Sequence, residues 1–178
     1  MSRLQITLAT LIAVLVFWGV GAYNRLMRLR NAILSGFLPV DQHLTLRHTL
    51  LQCQTETLLP LWPEQAETLS ALQAACAQAQ AASTLARAHP GAANVLGSLR
   101  LAESILLETR ARLPAADGLE APLAEMAELS AQLAVVEAAL QLARGRFNDA
   151  VMEYNRAIQQ FPTRLLAGLF GFSPAGTL

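Results

Sequence analysis

The sequence predicts an all-α fold, in which an N-terminal transmembrane helix continues into an antiparallel four-helix bundle. Three observations carry this prediction. Long stretches rich in Ala, Leu, Gln and Glu lie between a few clusters of Pro and Gly, and such residues lose little entropy in a helix. Apolar residues recur along these stretches at steps of three and four. Outside the apolar N-terminal span, the alternation of β-branched and aromatic residues that is typical of strands is missing.

The first element is an uncharged span from Leu4 to Asn24, bracketed by Arg3 and Arg25. A helix needs about 20 apolar residues to cross the hydrocarbon core of a bilayer, so this span has the length of a membrane anchor. Trp18 and Tyr23 lie near its C-terminal end, where aromatic side chains favour the interface. The alternative is a cleaved signal peptide, but the apolar core of such a peptide is usually only about 7–15 residues long.

The arginines around the span predict its orientation. Only Arg3 precedes the span, whereas Arg25, Arg28 and Arg30 follow it closely. Because positive charge prefers the cytoplasmic side, we expect a single-pass protein of the cell (inner) membrane. Its short N-terminus would lie outside and its bundle in the cytoplasm.

The two cysteines, Cys53 and Cys76, have neither a CxxC spacing nor a neighbouring His. We interpret them as small apolar packing residues. A disulfide is the alternative, but it requires an oxidising compartment, which the predicted orientation does not provide.

Four helices are predicted along the rest of the chain, in up-down-up-down order. The first carries an apolar seam that includes Arg30 and Arg47, and Gly36 and Pro39 are expected to weaken or kink it midway. The predicted ranges are 24–57, 63–88, 92–113 and 122–160, with a turn at Asp117-Gly118 before the fourth helix and Phe161-Pro162 after it.

Two pairs of Asn residues lie one heptad apart, so that each pair shares one helix face: Asn24 with Asn31, and Asn148 with Asn155. If the first and fourth helices are antiparallel, the two pairs face each other beside the membrane. The simplest interpretation is a hydrogen-bond network that fixes the register of the helices, as a buried Asn does in coiled coils. Binding of a ligand or of a partner peptide is the alternative.

Charged residues beside the same two seams predict a partly buried charge network. Antiparallel pairing puts Asp41 roughly level with Glu137 and within reach of Arg144, and such networks are plausible devices for fixing register. The predicted inter-helix polar network comprises Asn24, Arg30, Asn31, Asp41, Arg47, Glu137, Arg144, Asn148, Tyr154 and Asn155.

No catalytic constellation is evident. A carboxylate pair at Asp41 and Glu137 lacks the other groups that an active site needs, so we expect no enzyme activity, no small-molecule substrate and no cofactor. His43 and His48 are five residues apart, which differs from the four of a helical metal pair, so we expect no metal site. The formal net charge of zero gives no reason to expect nucleic-acid binding.

The residues at the two ends of the chain predict a membrane interface. The C-terminal tail (residues 163–178) is too short to span a bilayer, and it is expected to lie at the bilayer surface or to cap the bundle. The predicted interface residues are Trp18, Tyr23, Arg25, Arg28, Leu165, Leu166, Phe170 and Phe172. The chain therefore divides into an anchor (1–24), a helical bundle (25–162) and this tail.

Motifs at both ends of the chain resemble the LemA family. In the N-terminal half they are Tyr23-Asn24, Arg30-Asn31, Asp41, Leu44, Arg47 and Leu50. In the C-terminal half they are Leu129, Leu133, Glu137, Ala143-Arg144, Phe147-Asn148, Ala150-Val151, Tyr154-Asn155, Ile158, Phe161-Pro162, Leu165, Ala167, Gly171 and Phe172. The chain departs from the family pattern at Phe37, where the family usually has Trp, and at Leu113-Pro114, where it has Tyr-Pro.

The resemblance implies a bacterial single-span membrane protein with a short extracytoplasmic N-terminus and a cytoplasmic helical bundle, and it implies no particular activity. With the features above, it favours a non-enzymatic adaptor or scaffold that binds membrane-protein partners or itself. The alternative is a membrane-remodelling or lipid-binding protein that uses the tail and the juxtamembrane Arg cluster, because basic residues just inside a membrane attract anionic lipid.

Overall fold

The computed structural model describes residues 3–113 and 123–178, and within these ranges it has helices and no strand. The five α-helices are α1 (Arg3–Leu58), α2 (Ala66–Ala88), α3 (Ala93–Ala111), α4 (Leu123–Gln159) and α5 (Thr163–Leu169), and a 3₁₀ turn at Pro63–Gln65 precedes α2. The prediction of an all-α fold is confirmed. The predicted turn at Asp117-Gly118 lies outside the described residues.

The helix α1 is one continuous element that changes its surroundings midway. Its N-terminal part is exposed all round, and the helix is long and apolar enough to cross a membrane, with a mean hydropathy of 2.0 over its most apolar 18 residues. From Leu26 onwards, residues at steps of three and four are buried. The expected weak point does not interrupt α1, because the helix runs through Gly36 and Pro39.

Four helices form the bundle, and α1 packs against both α2 and α4, while α2 packs against α3. The aromatic rings of Phe37 and Phe147 meet edge to face with their centroids 5.6 Å apart. Each fully buried Leu or Phe stabilises such a core by about 1.5–3 kcal/mol. The core cluster nearer the apolar part of α1 includes Leu26, Ile33, Phe37, Val40, Leu44, Leu96, Leu99, Leu140, Phe147 and Val151. A second cluster farther from that part includes Leu51, Leu72, Cys76, Ala79, Leu106 and Leu133.

The residues after α4 fold back onto the bundle. The short helix α5 contacts both α4 and α1, and Gly171 ends it with a φ of +69°. The N–H of Phe172 donates to the carbonyl of Ala167, which is the closing bond of a Schellman motif. Ala167, Phe172 and Leu178 all pack in the core cluster nearer the apolar part of α1. The division of the chain into three domains stays a prediction, although these residues of the tail are part of one core.

Candidate functional site

The most buried carboxylate among the described residues is that of Glu103 on α3, which is only 3% exposed. Three side chains from two other helices converge on its carboxylate. The Nε2 atom of His48 donates to its Oε1 at 2.9 Å, and the guanidinium of Arg144 donates to its Oε2 at 3.0 Å. Arg47 also donates to Oε2. One carboxylate therefore joins α1, α3 and α4.

The environment of Glu103 keeps the group ionised. Burial alone raises the pKa of this carboxyl, but the hydrogen bond from His48 and the charges of Arg47 and Arg144 outweigh burial, so the pKa lies below its ordinary value. Burial also lowers the pKa of Arg144, and the charge of Glu103 opposes that effect. A carboxylate with a lowered pKa and occupied oxygens is poorly suited to act as a general base.

Only two members of the predicted charge network, Arg47 and Arg144, meet at this cluster. The Nε atoms of both are buried and have no hydrogen-bond partner among the described residues. The third side chain at the carboxylate is His48, which lies next to Arg47 on α1 and is 1% exposed. The centre of the cluster, Glu103, was not predicted.

Asp41 pairs with α2 instead of α4, so its predicted position beside Arg144 is wrong. The Nε atom of Arg87 lies 2.8 Å from Asp41 Oδ2, and the hydroxyl of Ser83 donates to Oδ1 at 3.3 Å. The reason is that α1 packs between α2 and α4, and Asp41 lies on the side of α1 that faces α2.

Glu137 pairs with Arg110 of α3 at the bundle surface, although it was expected near Asp41. Both side chains are about one-third exposed, so this pair contributes at most about 1 kcal/mol. Together with Arg144 and Glu103, it shows that long side chains connect α3 to α4.

The Asn pairs lie near the predicted level but do not face each other. The contact of Phe37 with Phe147 fixes an antiparallel register for α1 and α4, which puts Asn31 within about a turn of Asn148. However, Asn24 and Asn31 are exposed, because their neighbours Leu26 and Ile33 take the core positions.

The other two Asn residues hold the chain's own segment 172–178, hereafter the docked segment. The amide of Asn155 bonds to both the carbonyl and the N–H of Ala175. The amide of Asn148 makes the same pair of bonds with Leu178. The hydroxyl of Tyr154 donates to the carbonyl of Ser173 at 3.1 Å. The two Asn residues one heptad apart therefore bind an extended segment of the chain and not a second helix.

Tyr154 and Arg30 lie beside a groove of about 330 Å³ between the docked segment and the α2–α3 turn. Burial raises the pKa of the Tyr154 hydroxyl, and the charge of Arg30 opposes that effect. The hydroxyl therefore stays protonated and serves as a donor. His89 and Gly91 of the turn form the far wall.

Four of the predicted interface residues meet where α5 approaches the apolar part of α1, namely Tyr23, Leu166, Phe170 and Phe172. The rings of Tyr23 and Phe170 lie 5.2 Å apart, and those of Tyr23 and Phe172 lie 5.9 Å apart. Leu165 and Phe170 are exposed, as are Trp18, Arg25 and Arg28, while Leu166 and Phe172 are half-buried. An apolar groove of about 500 Å³ runs between the two helices.

The cysteines differ in environment, and neither forms a disulfide. Cys76 is buried in the second cluster, and its thiol donates to the carbonyl of His48 at 3.5 Å. Burial raises its pKa. Cys53 is exposed, so the interpretation as a packing residue fits Cys76 and does not fit Cys53.

A signal for the missed carboxylate is present in the sequence. Leu96, Leu99, Glu103 and Leu106 follow the helical step of three and four, so α3 carries a charge inside its apolar stripe. Arg47 occupies the equivalent kind of position on α1. Two opposite charges in two facing apolar stripes indicate a buried pair.

Comparison with known proteins gives one family. Residues 37–178 match the model of the LemA family, so the match covers α1 from Phe37 onwards and the elements that follow it. A search among curated proteins finds no match to the chain.

Proposed function

Because the chain belongs to the LemA family, we propose that it is a single-pass membrane protein whose helical bundle acts as a non-enzymatic adaptor or scaffold for membrane-protein partners. The observation that carries this proposal is the continuity of α1. The exposed apolar part and the core-forming part are one unbroken helix, so the bundle is tied rigidly to whatever surrounds that apolar part.

A bilayer is the surrounding that suits the N-terminal part of α1. Its side chains from Leu4 to Val20 are apolar except Gln5, Thr7 and Thr10, and almost all are exposed. A largely apolar surface of this size does not stay in water. The hydroxyls of Thr7 and Thr10 donate to carbonyls of their own helix, which satisfies these polar groups in lipid. We propose that the N-terminus lies outside the cell membrane and the bundle in the cytoplasm, as the arginines after the span favour.

The interior of the bundle supports a binding role over catalysis. Its core positions are filled by Leu, Ile, Val and Phe, and the buried carboxylate of Glu103 is occupied by cations of the same chain. An active site needs polar groups that converge on a pocket, whereas these groups converge on each other.

The surface between α2 and α3 supports partner binding. A groove of about 580 Å³ runs between these helices, and its lining combines small apolar residues with the polar side chains of Gln78, Asn94 and Ser98. Leu85 and Leu101 flank it and are 60% and 62% exposed. Exposed apolar residues around a groove are a common feature of protein interfaces.

Site-specific photo-crosslinking in cells tests the adaptor proposal. A photoreactive residue at Leu85 or Leu101 is expected to give adducts with membrane proteins. The matched control is Leu142 on α4, which is 59% exposed and lies away from the groove. Adducts at 85 and 101, lost when residues 4–23 are deleted, support the proposal. Equal adduct patterns at all three positions, or none at any, contradict it.

Lipid binding by α5 is a second candidate, favoured by one observation. Leu165 and Leu169 are 68% and 77% exposed, although α5 packs beside the apolar part of α1. Such a helix can lie in the bilayer interface. Reconstitution of the full chain into anionic vesicles tests this candidate with Leu165→Ser and Leu169→Ser, because deleting the tail would remove Ala167 and Phe172 from the core. We expect the variant to cluster the vesicles less than the wild-type chain does, measured by light scattering, and equal clustering would reject this candidate.

A further inference from the structure

The docked segment is held through its main chain. At Asn155, the side-chain N–H donates to the carbonyl of Ala175 at 2.9 Å, and the side-chain oxygen accepts from the N–H of Ala175 at 2.8 Å. At Asn148, the same two bonds to Leu178 measure 2.7 and 2.9 Å. An Asn amide carries both donor and acceptor groups, so each Asn satisfies both polar groups of one residue regardless of its side chain.

The spacing of the two Asn residues fits an extended chain. Seven residues along an α-helix rise about 10.5 Å, and three residues of an extended chain cover about 10 Å. Asn148 and Asn155 are seven apart, and Ala175 and Leu178 are three apart. Each of the two Asn side chains therefore lies opposite one residue of the docked segment, which runs antiparallel to α4.

Two further contacts complete the site. The hydroxyl of Tyr154 donates to the carbonyl of Ser173, and the N–H of Gly176 donates to the carbonyl of Gly91 at 3.4 Å. A Cβ atom on Gly176 would lie only 2.6 Å from the Cα atom of Ala93, so the site requires Gly at that position. At the other positions, the site places few demands on the side chains of the bound segment.

We propose that this surface, formed by Asn148, Tyr154, Asn155 and the turn at residues 91–93, is a binding site for an extended polypeptide segment of a partner protein. The docked segment is its intramolecular occupant, which the partner segment displaces. The partner segment carries Gly at the place of Gly176 and an apolar residue two positions later, as at Leu178. This inference deepens the adaptor proposal and rests on it.

Residues 173–178 of the docked segment can leave without unfolding α5. The bond from Phe172 to Ala167 closes the end of α5, and Phe172 packs on Tyr23, so both stay in place when residues 173–178 swing out. The side chains of Ser173, Pro174 and Thr177 are exposed. The docked segment is thus attached by its main-chain hydrogen bonds and by the packing of Ala175 and Leu178 on the core, and another extended segment with small and apolar residues at these two places can replace it.

Peptide binding to the full chain in detergent tests the proposal. The receptor carries Gly176→Val, which dislodges its own segment, and the probe is a fluorescent hexapeptide with the sequence of residues 173–178. We expect the peptide to bind this receptor at least ten-fold more tightly than the wild-type chain, whose site is occupied. Adding Asn148→Ala and Asn155→Ala to the receptor is expected to abolish binding, as is Val in place of Gly in the peptide.

A second probe tests main-chain recognition. A peptide whose Ser and Thr are replaced by Ala, with Gly and Leu kept, is expected to bind within about three-fold. If Gly176→Val lowers the helix content, Ala175→Pro serves as the receptor instead, because it removes only the N–H that Asn155 accepts. Failure of either folded receptor to bind the peptide, or binding that ignores the Asn substitutions, overturns the proposal.

The oligomeric mass of the Gly176→Val receptor tests which protein supplies the bound segment. If this receptor forms dimers that need Asn148 and Asn155, the segment comes from a second copy of the chain, and the assignment to a different partner is overturned. A monomeric receptor that binds the peptide supports the assignment. Adducts at Leu85 and Leu101 without peptide binding would reject this site and leave the adaptor proposal standing. Peptide binding without such adducts would support this site and reject the groove between α2 and α3 as the adaptor surface.

Discussion

Glu103 contributes more to the stability of the bundle than any exposed charged residue does. It is 3% exposed and joins three helices. Removing one member of a buried ion cluster leaves the others as uncompensated buried charges, which costs about 3–5 kcal/mol. We therefore expect Glu103→Ala to lower the free energy of unfolding by that amount, measured by urea denaturation of the detergent-solubilised chain.

The matched control for this prediction is Glu108→Ala on the same helix. Glu108 is exposed, and surface substitutions usually change stability by less than about 0.5 kcal/mol. Equal losses for the two variants would mean that the cluster contributes nothing specific.

The lowered pKa of Glu103 predicts an acid limb in stability. An unfolded carboxyl titrates near its ordinary value of 4.5, and the folded group titrates below it. The contribution of Glu103 is therefore complete above pH 4.5 and is lost as the pH falls through the folded pKa.

Comparison with Glu103→Gln isolates this effect, because the other acids titrate in both chains. We expect the stability difference between wild type and this variant to shrink as the pH falls below 4.5. A difference that grows on acidification would give the pKa shift the opposite sign.

At the residue scale, sequence reasoning found the right kinds of residue and often the wrong partners. The heptad spacing of Asn148 and Asn155 indicated one shared helix face, which is where both lie. Their partner is an extended segment, because about 10 Å suits three extended residues as well as two helical turns. Spacing on one element does not say what lies opposite it.

At the scale of single helices, two glycines offer opposite outcomes for the same substitution. Gly145 lies inside α4, and a Cβ there would meet nothing within 4 Å. Gly171 ends α5 with a φ of +69°, a conformation that L residues rarely adopt. The first glycine weakens its helix, whereas the second is needed where it is.

We expect Gly145→Ala to raise the free energy of unfolding by about 0.5–1 kcal/mol, because Ala loses less backbone entropy in a helix. Gly171→Ala is expected to lower it by about 1 kcal/mol, because a left-handed conformation strains a Cβ atom. Chemical denaturation of both variants checks the pair. A loss of stability at Gly145 would indicate a contact on that face of α4.

Helix positions were largely predictable because apolar periodicity and Pro or Gly breaks are local signals. His89-Pro90-Gly91 separates α2 from α3 as expected. The differences between the predicted and the observed helices arise from tertiary packing. Pro39 does not interrupt α1, since the helix is held there by Phe37 and Val40 in the core, and α2 begins three residues later than predicted, after a 3₁₀ turn.

For the whole molecule, the accessibility of one exposed thiol tests the proposed orientation across a membrane. Cys53 is exposed and lies thirty residues beyond Tyr23 on the continuous helix α1, which corresponds to about 45 Å. It therefore lies well clear of the lipid headgroups. Cys76 is buried, and burial raises its pKa, so it reacts slowly because the thiolate is the nucleophile.

We expect a membrane-impermeant maleimide to leave Cys53 unlabelled in intact cells and to label it after lysis, since the arginines after the span favour a cytoplasmic bundle. The chain with Cys53→Ser is the control and is expected to stay unlabelled in both conditions until it is denatured. Labelling of Cys53 in intact cells would put the bundle outside the membrane. In that case the charge bias of Arg25, Arg28 and Arg30 would be outweighed, and the partners of the groove between α2 and α3 would have to be sought on the outer side.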